Sequence, residues 1–115
     1  MPTDTDAIVV FMTAASREEA GQLAEMLVNQ RLAACVQILP EMESVYRWEG
    51  EVERQPEVLL IAKTLNSKFA ELEIAVRALH SYEIPEIVSV PLTAGSAPYL
   101  KWLSASTSEP NQTAS

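Results

Sequence analysis

Few residues in this chain can carry chemistry. His80 is the only imidazole and Cys35 the only thiol. His80 follows a helical pattern and precedes Ser81-Tyr82-Glu83-Ile84-Pro85, so it can ligate a metal or line a cleft. It is equally well placed as a cation favoured by the partial negative charge of a helix C-terminus. Cys35 lies in the apolar run Ala33-Ala34-Cys35-Val36, where a thiol is commonly a small, inert, buried hydrophobe. As a thiolate ligand or nucleophile it needs a base or cation beside it, and His80 is the only imidazole on offer. Glu41, Glu43, Glu49, Glu51, Glu53 and Glu57 make one stretch acidic. Carboxylates on neighbouring strands bind hard cations weakly through oxygen; the same charges also serve as a solvated edge that resists aggregation. Tyr82, Glu83 and Pro85, with Lys63 and Trp48, mix flat apolar surface with a few polar groups, which suits a small-ligand cleft. The alternative is that they only lock a subunit contact. The chain has three glycines in all, no Gly-rich phosphate loop, and neither a Gly-x-Ser-x-Gly nor a His-Glu-x-x-His motif.

Composition narrows the partners. The 115 residues are 48% hydrophobic and 21% charged, and sixteen acids against eight bases give a net charge of −8. Nucleic-acid phosphate and anionic lipid need clustered Lys and Arg, so neither is expected as the main partner. No apolar run approaches the ~18 residues that span a bilayer, and the acidic start Met1–Asp6 is unlike a secretory signal. The single cysteine excludes an intramolecular disulfide, a Cys-x-x-Cys pair and a multi-cysteine zinc site. A cytoplasmic location is the simplest expectation.

The elements that position these residues follow from periodicity. Residues 1–6 and 105–115 are polar and expected to be flexible, leaving 7–104 as one folded domain. Ile8–Met12 reads as a strand buried on both faces. Ser16-Arg17-Glu18-Glu19 matches a capping box, and apolar residues at helical spacing predict a helix over 17–31. Leu32–Trp48 and Glu51–Thr64 are two long strand-like stretches around Glu49-Gly50. Glu-Gly is a weaker hairpin signal than Asn-Gly, so a loop longer than two residues is allowed for. A turn centred there sets Val45 opposite Arg54, Glu43 opposite Pro56 and Pro40 opposite Leu59. Proline cannot donate a ladder hydrogen bond, so Pro40 and Pro56 mark an edge or bulge. They divide the hairpin into an apolar inner part and a polar, aromatic outer part. Asn66 or Ser67 caps a second helix with Phe69, Leu72, Val76 and Leu79 as its stripe. Pro85 keeps the following segment out of helix. Ile87–Val90 is a fourth strand, and Ser96 with Pro98 opens a short last helix. The order β-α-β-β-α-β plus a short C-terminal helix is α+β, the ferredoxin-like split βαβ arrangement with helices on one sheet face.

One copy leaves surface uncovered. Ile8–Met12 and Val58–Ala62 are apolar at every position, so the face without helices also wants cover. A chain of this length has a radius of gyration of ~13 Å, whereas residues 33–48 extended reach ~50 Å. The outer ribbon therefore projects, and a lone two-stranded ribbon is marginal in water. Tyr46 and Trp48 share one of its faces, beside Glu51 and Glu53. Docking on another subunit explains this best; the alternative is a hairpin curled over its own domain.

Several stretches resemble the CutA family of divalent-cation tolerance proteins. They are Leu32-Ala33-Ala34-Cys35-Val36, Ser44-Val45-Tyr46-Arg47-Trp48-Glu49-Gly50, Ala62-Lys63-Thr64, His80-Ser81-Tyr82-Glu83-Ile84-Pro85-Glu86-Ile87 and Tyr99-Leu100-Lys101-Trp102-Leu103. The resemblance covers about residues 7 to 104. It implies a homotrimer joined through the long hairpin, similar in architecture to the PII signalling proteins, with ligand clefts between subunits. It also implies a role in tolerance of copper and other divalent ions, and no accepted enzymatic reaction. The ligand positions proposed for copper-binding relatives correspond here to Met12, Leu79 and His80. Methionine can ligate Cu(I), but leucine cannot ligate at all. The resulting expectation is weak binding of copper or another divalent cation around His80, with Met12 and Glu83 contributing. Partners are then a metal ion or an unknown small molecule, with no nucleic acid and no membrane. The alternative is an enzyme using Cys35 or His80 with Glu83.

Overall fold

Strand β1 (Ala7–Ala14) alternates rather than burying every residue equally. Ile8, Val10, Met12 and Ala14 are 0–3% exposed, while Val9 and Phe11 between them are half-buried. The structure, a computed structural model, describes residues 6–108. The expectations of flexible ends at 1–5 and 109–115 lie outside the described residues.

After β1 come α1 (Arg17–Asn29), β2 (Cys35–Trp48), β3 (Glu51–Leu65), a 3₁₀ turn (Asn66–Lys68), α2 (Phe69–Leu79), β4 (Ile87–Pro91) and α3 (Ala97–Ser106). The four strands form one antiparallel sheet in the order β2-β3-β1-β4, as a split βαβ fold requires. Leu23 and Leu27 of α1 and Leu72 and Val76 of α2 pack on Val10, Met12, Leu60 and Ala62. Burial of these side chains at about 2–3 kcal/mol each drives the assembly.

Helix α3 departs from the expectation that the helices share one face. Leu100 and Leu103 pack with Ala7, Ala34, Leu65 and Leu92. Ala7 and Leu65 are register partners and point away from the main core, because side chains alternate along a strand. So α3 closes one end of the second face. It also runs past Ser104 to Ser106, and Thr107 is buried with its hydroxyl bonded to the Leu103 carbonyl at 3.2 Å. The folded chain therefore extends beyond the boundary drawn from composition.

Caps differ in detail. Ser16 Oγ accepts the Glu19 N–H at 3.1 Å, but the Glu19 carboxylate reaches the N–H of Ala15 at 3.0 Å, one residue earlier than a capping box places it. The helix ends at Asn29 because Arg31 turns into the left-handed region at φ 59°. Neither Asn66 nor Ser67 caps α2: the 3₁₀ turn leads straight into it and carries no side-chain cap. Ser96 stands at the N-cap of α3 without a side-chain bond.

The hairpin projects. The radius of gyration is 15.2 Å and the extents are 52 × 26 × 22 Å, against ~13 Å for an equidimensional chain of this length. Val45 faces Arg54 and Glu43 faces Pro56, in the expected register. Nearer the core the register shifts by one between Leu39 and Met42, so Leu39 rather than Pro40 faces Leu59. The bulge holds Pro40, which has no N–H to lose, and Glu41, which sits at φ 40°. The loop is no longer than two residues. Trp48 pairs with Glu51 across Glu49 (φ 49°) and Gly50 (φ 84°). Positive φ at both positions is a type I′ turn, whose twist matches the strands.

Candidate functional site

The bulge creates the site. Beyond it, Ser44, Tyr46 and Trp48 fall on one face of β2, and Gln55, Glu53 and Glu51 oppose them on β3. Glu57, on the same strand phase, is where β3 enters the body of the protein, and it is buried to 8% exposure. Its carboxylate is held from two sides. Ser44 Oγ donates to Oε1 at 2.6 Å, and Tyr82 Oη donates to Oε2 at 2.7 Å. Hydroxyl donors to a carboxylate are charge-assisted bonds, stronger than neutral pairs. Burial, and then the bond to Glu57, push the Tyr82 phenol well above its ordinary value. Tyr82 therefore stays a donor across the accessible pH range.

Behind Tyr82, the segment that leaves α2 is tied down by His80 and Glu19. The His80 side chain is fully enclosed. Its Nε2 lies 2.7 Å from the Thr13 carbonyl, and its Nδ1 lies 3.0 Å from the Tyr82 amide nitrogen. A carbonyl only accepts and an amide N–H only donates, so the ring is assigned as the neutral Nε2–H tautomer. Glu19 Oε2 accepts the Ser81 N–H at 2.7 Å and sits 3.5 Å from His80 Nδ1. Burial raises the Glu19 carboxyl, but the N–H groups of Ala15 and Ser81 outweigh it and hold the group below its ordinary value. One carboxylate thus caps α1 and anchors the segment that presents Tyr82.

Between this segment and the root of the hairpin lies a cleft of about 500 Å³. Tyr46, Trp48, Tyr82 and Ile84 supply its apolar surface. Glu57 lines it from within, and the exposed Glu83 and Glu86 line it from the loop. Of the cleft residues expected from sequence, Trp48, Tyr82 and Glu83 meet here. Lys63 and Pro85 do not line it. Lys63 instead stands opposite Cys35 in the ladder and bonds Gln37. Ser44 and Glu86 carry no ligand signal of their own in the sequence beyond standing in longer motif stretches, and Glu19 reads only as part of a capping box. Glu57 was one glutamate in an acidic run; its signal was its place directly after Pro56, where exposed alternation gives way to core.

The copper ligand positions do not present three free donors. Met12 is 0% exposed within the main core, Leu79 is 45% exposed, and both His80 nitrogens are engaged inside the protein. No group of three or more His, Cys, Asp or Glu side chains among the described residues is arranged to hold a metal. The residues of one subunit therefore do not fit a closed copper site of that construction. A Cys35–His80 pair is not assembled either. Cys35 stands beside Lys63 and, across it, Val9, while His80 bonds Thr13. Those β1 positions are four residues apart, or ~13 Å at ~3.3 Å per residue. The neighbour Cys35 does have is the Tyr99 hydroxyl, at 3.8 Å.

Residues 8–106 match the family described as CutA1 divalent ion tolerance protein. The chain is 48% identical over 99 residues to the divalent-cation tolerance protein CutA of Thermus thermophilus, covering 86% of this chain and 96% of that one. It is 48% identical over 101 residues to the chloroplastic protein CutA of Arabidopsis thaliana, covering 88% of this chain but only 56% of that relative's length. The solved Cut A1 structure from Thermus thermophilus superposes with a TM-score of 0.87 at 46% identity, covering 89% of this chain and 99% of that one. The CutA1 structure from Oryza sativa gives 0.89 at 43% identity, covering 93% and 98%. Compartments differ among relatives: the Arabidopsis protein is chloroplastic, and the Archaeoglobus fulgidus structure is described as periplasmic. No helix among the described residues is long and apolar enough to cross a membrane. Fold, matched span and identity over nearly the whole chain agree: the protein belongs to the CutA1 divalent ion tolerance family.

Proposed function

We propose that the protein acts as a homotrimer that responds to divalent ions through the cleft at the root of its hairpin, without catalysing a reaction. The observation that carries this reading is the construction of the cleft. A carboxylate buried to 8% exposure is held by two hydroxyl donors and opens into a space of small-molecule size beside exposed aromatics. The ribbon above it leaves Val45, Tyr46, Trp48 and Val52 between 42% and 64% exposed. Tyr46 and Trp48 share one face of the ribbon and Val45 and Val52 the other; exposed apolar side chains on both faces mark an interaction element, and a second and third copy of the chain would cover it. Clefts shared between subunits would then give the PII-like means of signalling that the architecture suggests. A cytoplasmic setting belongs to the same proposal.

The divalent ion in this reading is a weakly held ligand. The engaged ring of His80 moves the expected contact from the imidazole to oxygen, with Glu83 and Glu86 as the exposed carboxylates of the cleft. Oxygen ligands favour hard cations over copper. Titration calorimetry with Cu²⁺ and Zn²⁺ tests this on the native protein, His80→Ala and Glu83→Gln/Glu86→Gln. The double carboxamide variant should lose most of a weak binding signal that His80→Ala retains. Nanomolar copper affinity abolished by His80→Ala would restore the imidazole as the ligand and overturn the oxygen assignment.

A further inference from the structure

We propose that the Tyr82–Glu57 bond is a latch: it fixes the angle of the outer hairpin to the body of its own chain and so holds the hairpin ready to dock on neighbouring copies. The latch deepens, and rests on, the homotrimer reading. The joint needs such a tie because its ladder is thin. The register shifts between Leu39 and Met42, and Pro40 on β2 and Pro56 on β3 have no N–H to give to the ladder. Strand β1 accompanies β3 only as far as Val58, so beyond it two strands continue alone. A two-stranded ribbon bends and twists more readily than a sheet packed on helices.

Across that joint, one side-chain hydrogen bond among the described residues links the outer hairpin to a segment outside β2 and β3. It runs from Tyr82 Oη to Glu57 Oε2 at 2.7 Å. The other outer-hairpin side-chain bonds, Ser44 to Glu57, Arg54 to Glu43 and Arg47 to the Gly50 carbonyl, stay within the hairpin. Glu57 is 8% exposed within its own chain. Water therefore competes little for its carboxylate, and further copies can only enclose it more. Tyr82 is itself anchored. Its main-chain N–H meets His80 Nδ1 at 3.0 Å, and His80 Nε2 meets the Thr13 carbonyl of β1 at 2.7 Å. Glu19 of α1 accepts the neighbouring Ser81 N–H at 2.7 Å. A continuous run of bonds, all inside one chain, thus leads from β1 and α1 to the root of the hairpin. A hairpin already held at its docking angle loses less freedom when it docks. Releasing it should show mainly in how fast subunits separate.

The test is subunit exchange. Protein of ordinary isotopic mass is mixed with heavy-nitrogen-labelled protein, and native mass spectrometry follows the appearance of mixed trimers. Tyr82→Phe should exchange subunits at least about tenfold faster than the native protein. Ser44→Ala takes a hydroxyl from the same carboxylate but leaves the tie to the body, and should stay within about threefold of the native rate. Glu19→Gln loosens the Tyr82 segment from behind, at a side chain that is 14% exposed and does not line the cleft. It should speed exchange by about three- to tenfold. Equal acceleration by Ser44→Ala and Tyr82→Phe would assign the effect to the buried carboxylate and overturn the latch. Acceleration by Tyr82→Phe with Glu19→Gln at the native rate would assign it to a contact between the phenol and a neighbouring copy, and would overturn the latch as well. Native trimers that exchange as slowly in Tyr82→Phe as without it would overturn the latch alone, whereas native protein with the mass of one chain would overturn the homotrimer itself.

Discussion

Leu60 and Glu57 stand three residues apart on one strand and belong to different kinds of structure. From Val58 inward, Val58, Leu60, Ala62 and Thr64 are 0–4% exposed against two helices. From Pro56 outward, the ribbon has no layer over it, and Val52 is 64% exposed. The inner half is held by apolar burial within one chain. The outer half is held by its ladder, a two-residue turn and polar contacts. The bulge at Pro40 and Glu41 is the joint between them, and the cleft sits at that joint. There a strand leaves the core, its side chains change face, and a charged group can be half inside. A two-stranded region of this kind, marginal alone, gains more from a partner than a packed core does.

Substitutions on the two sides of the joint should separate sharply. Leu60→Ala removes a side chain 0% exposed in the core and should cost about 2–5 kcal/mol in denaturant unfolding. Val52→Ala on the ribbon should cost under about 0.5 kcal/mol in the folding of the chain itself. It should instead weaken subunit association, read as a concentration-dependent melting temperature. Equal costs at both positions would erase the distinction.

Tyr82→Phe tests the joint. It removes one of two donors from a buried carboxylate, for which about 1–3 kcal/mol is expected. The loss should exceed that of Ser96→Ala, whose hydroxyl makes no cap bond.

Glu19 sharpens the comparison through pH. Its carboxyl is held below the ordinary value of 4.5. A lowered folded-state value means the carboxylate stabilises the protein above the unfolded value, and that stability is lost as pH falls through the folded one. The stability gap between native protein and Glu19→Gln should be constant at neutral pH and shrink below the ordinary value of 4.5, by about 1 kcal/mol at most. A gap that widened on acidification would have the wrong sign. The smallest effect belongs to the ribbon's surface: Glu43 and Arg54 pair at 2.8 Å but are 58% and 67% exposed, so a double-mutant cycle should give no more than about 0.5 kcal/mol.

Much of this division was legible in the residues. Apolar periodicity located every helix and strand, and two prolines near each other on facing strands located the joint. The register of the outer ribbon followed from centring the turn on Glu49-Gly50. What was not legible depends on partners distant in sequence. His80 read as an open ligand because nothing local shows the Thr13 carbonyl, 67 positions away, that its Nε2 meets. Glu19 read as a helix cap because its second task lies on Ser81, 62 positions away. Glu57 was hidden among equals, since charge in a run of glutamates says nothing about which one the fold encloses. The turn was shorter than its composition suggested, because a two-residue I′ loop tolerates a glutamate at φ 49° when the ladder on both sides is long.

In the proposed homotrimer the projecting half of the hairpin is completed by other copies of the same chain. Sedimentation equilibrium of the native protein at micromolar concentration tests it most directly. A single species with the mass of three chains is the expected result. A species with the mass of one chain, holding Val45, Trp48 and Val52 in water, would contradict the homotrimer.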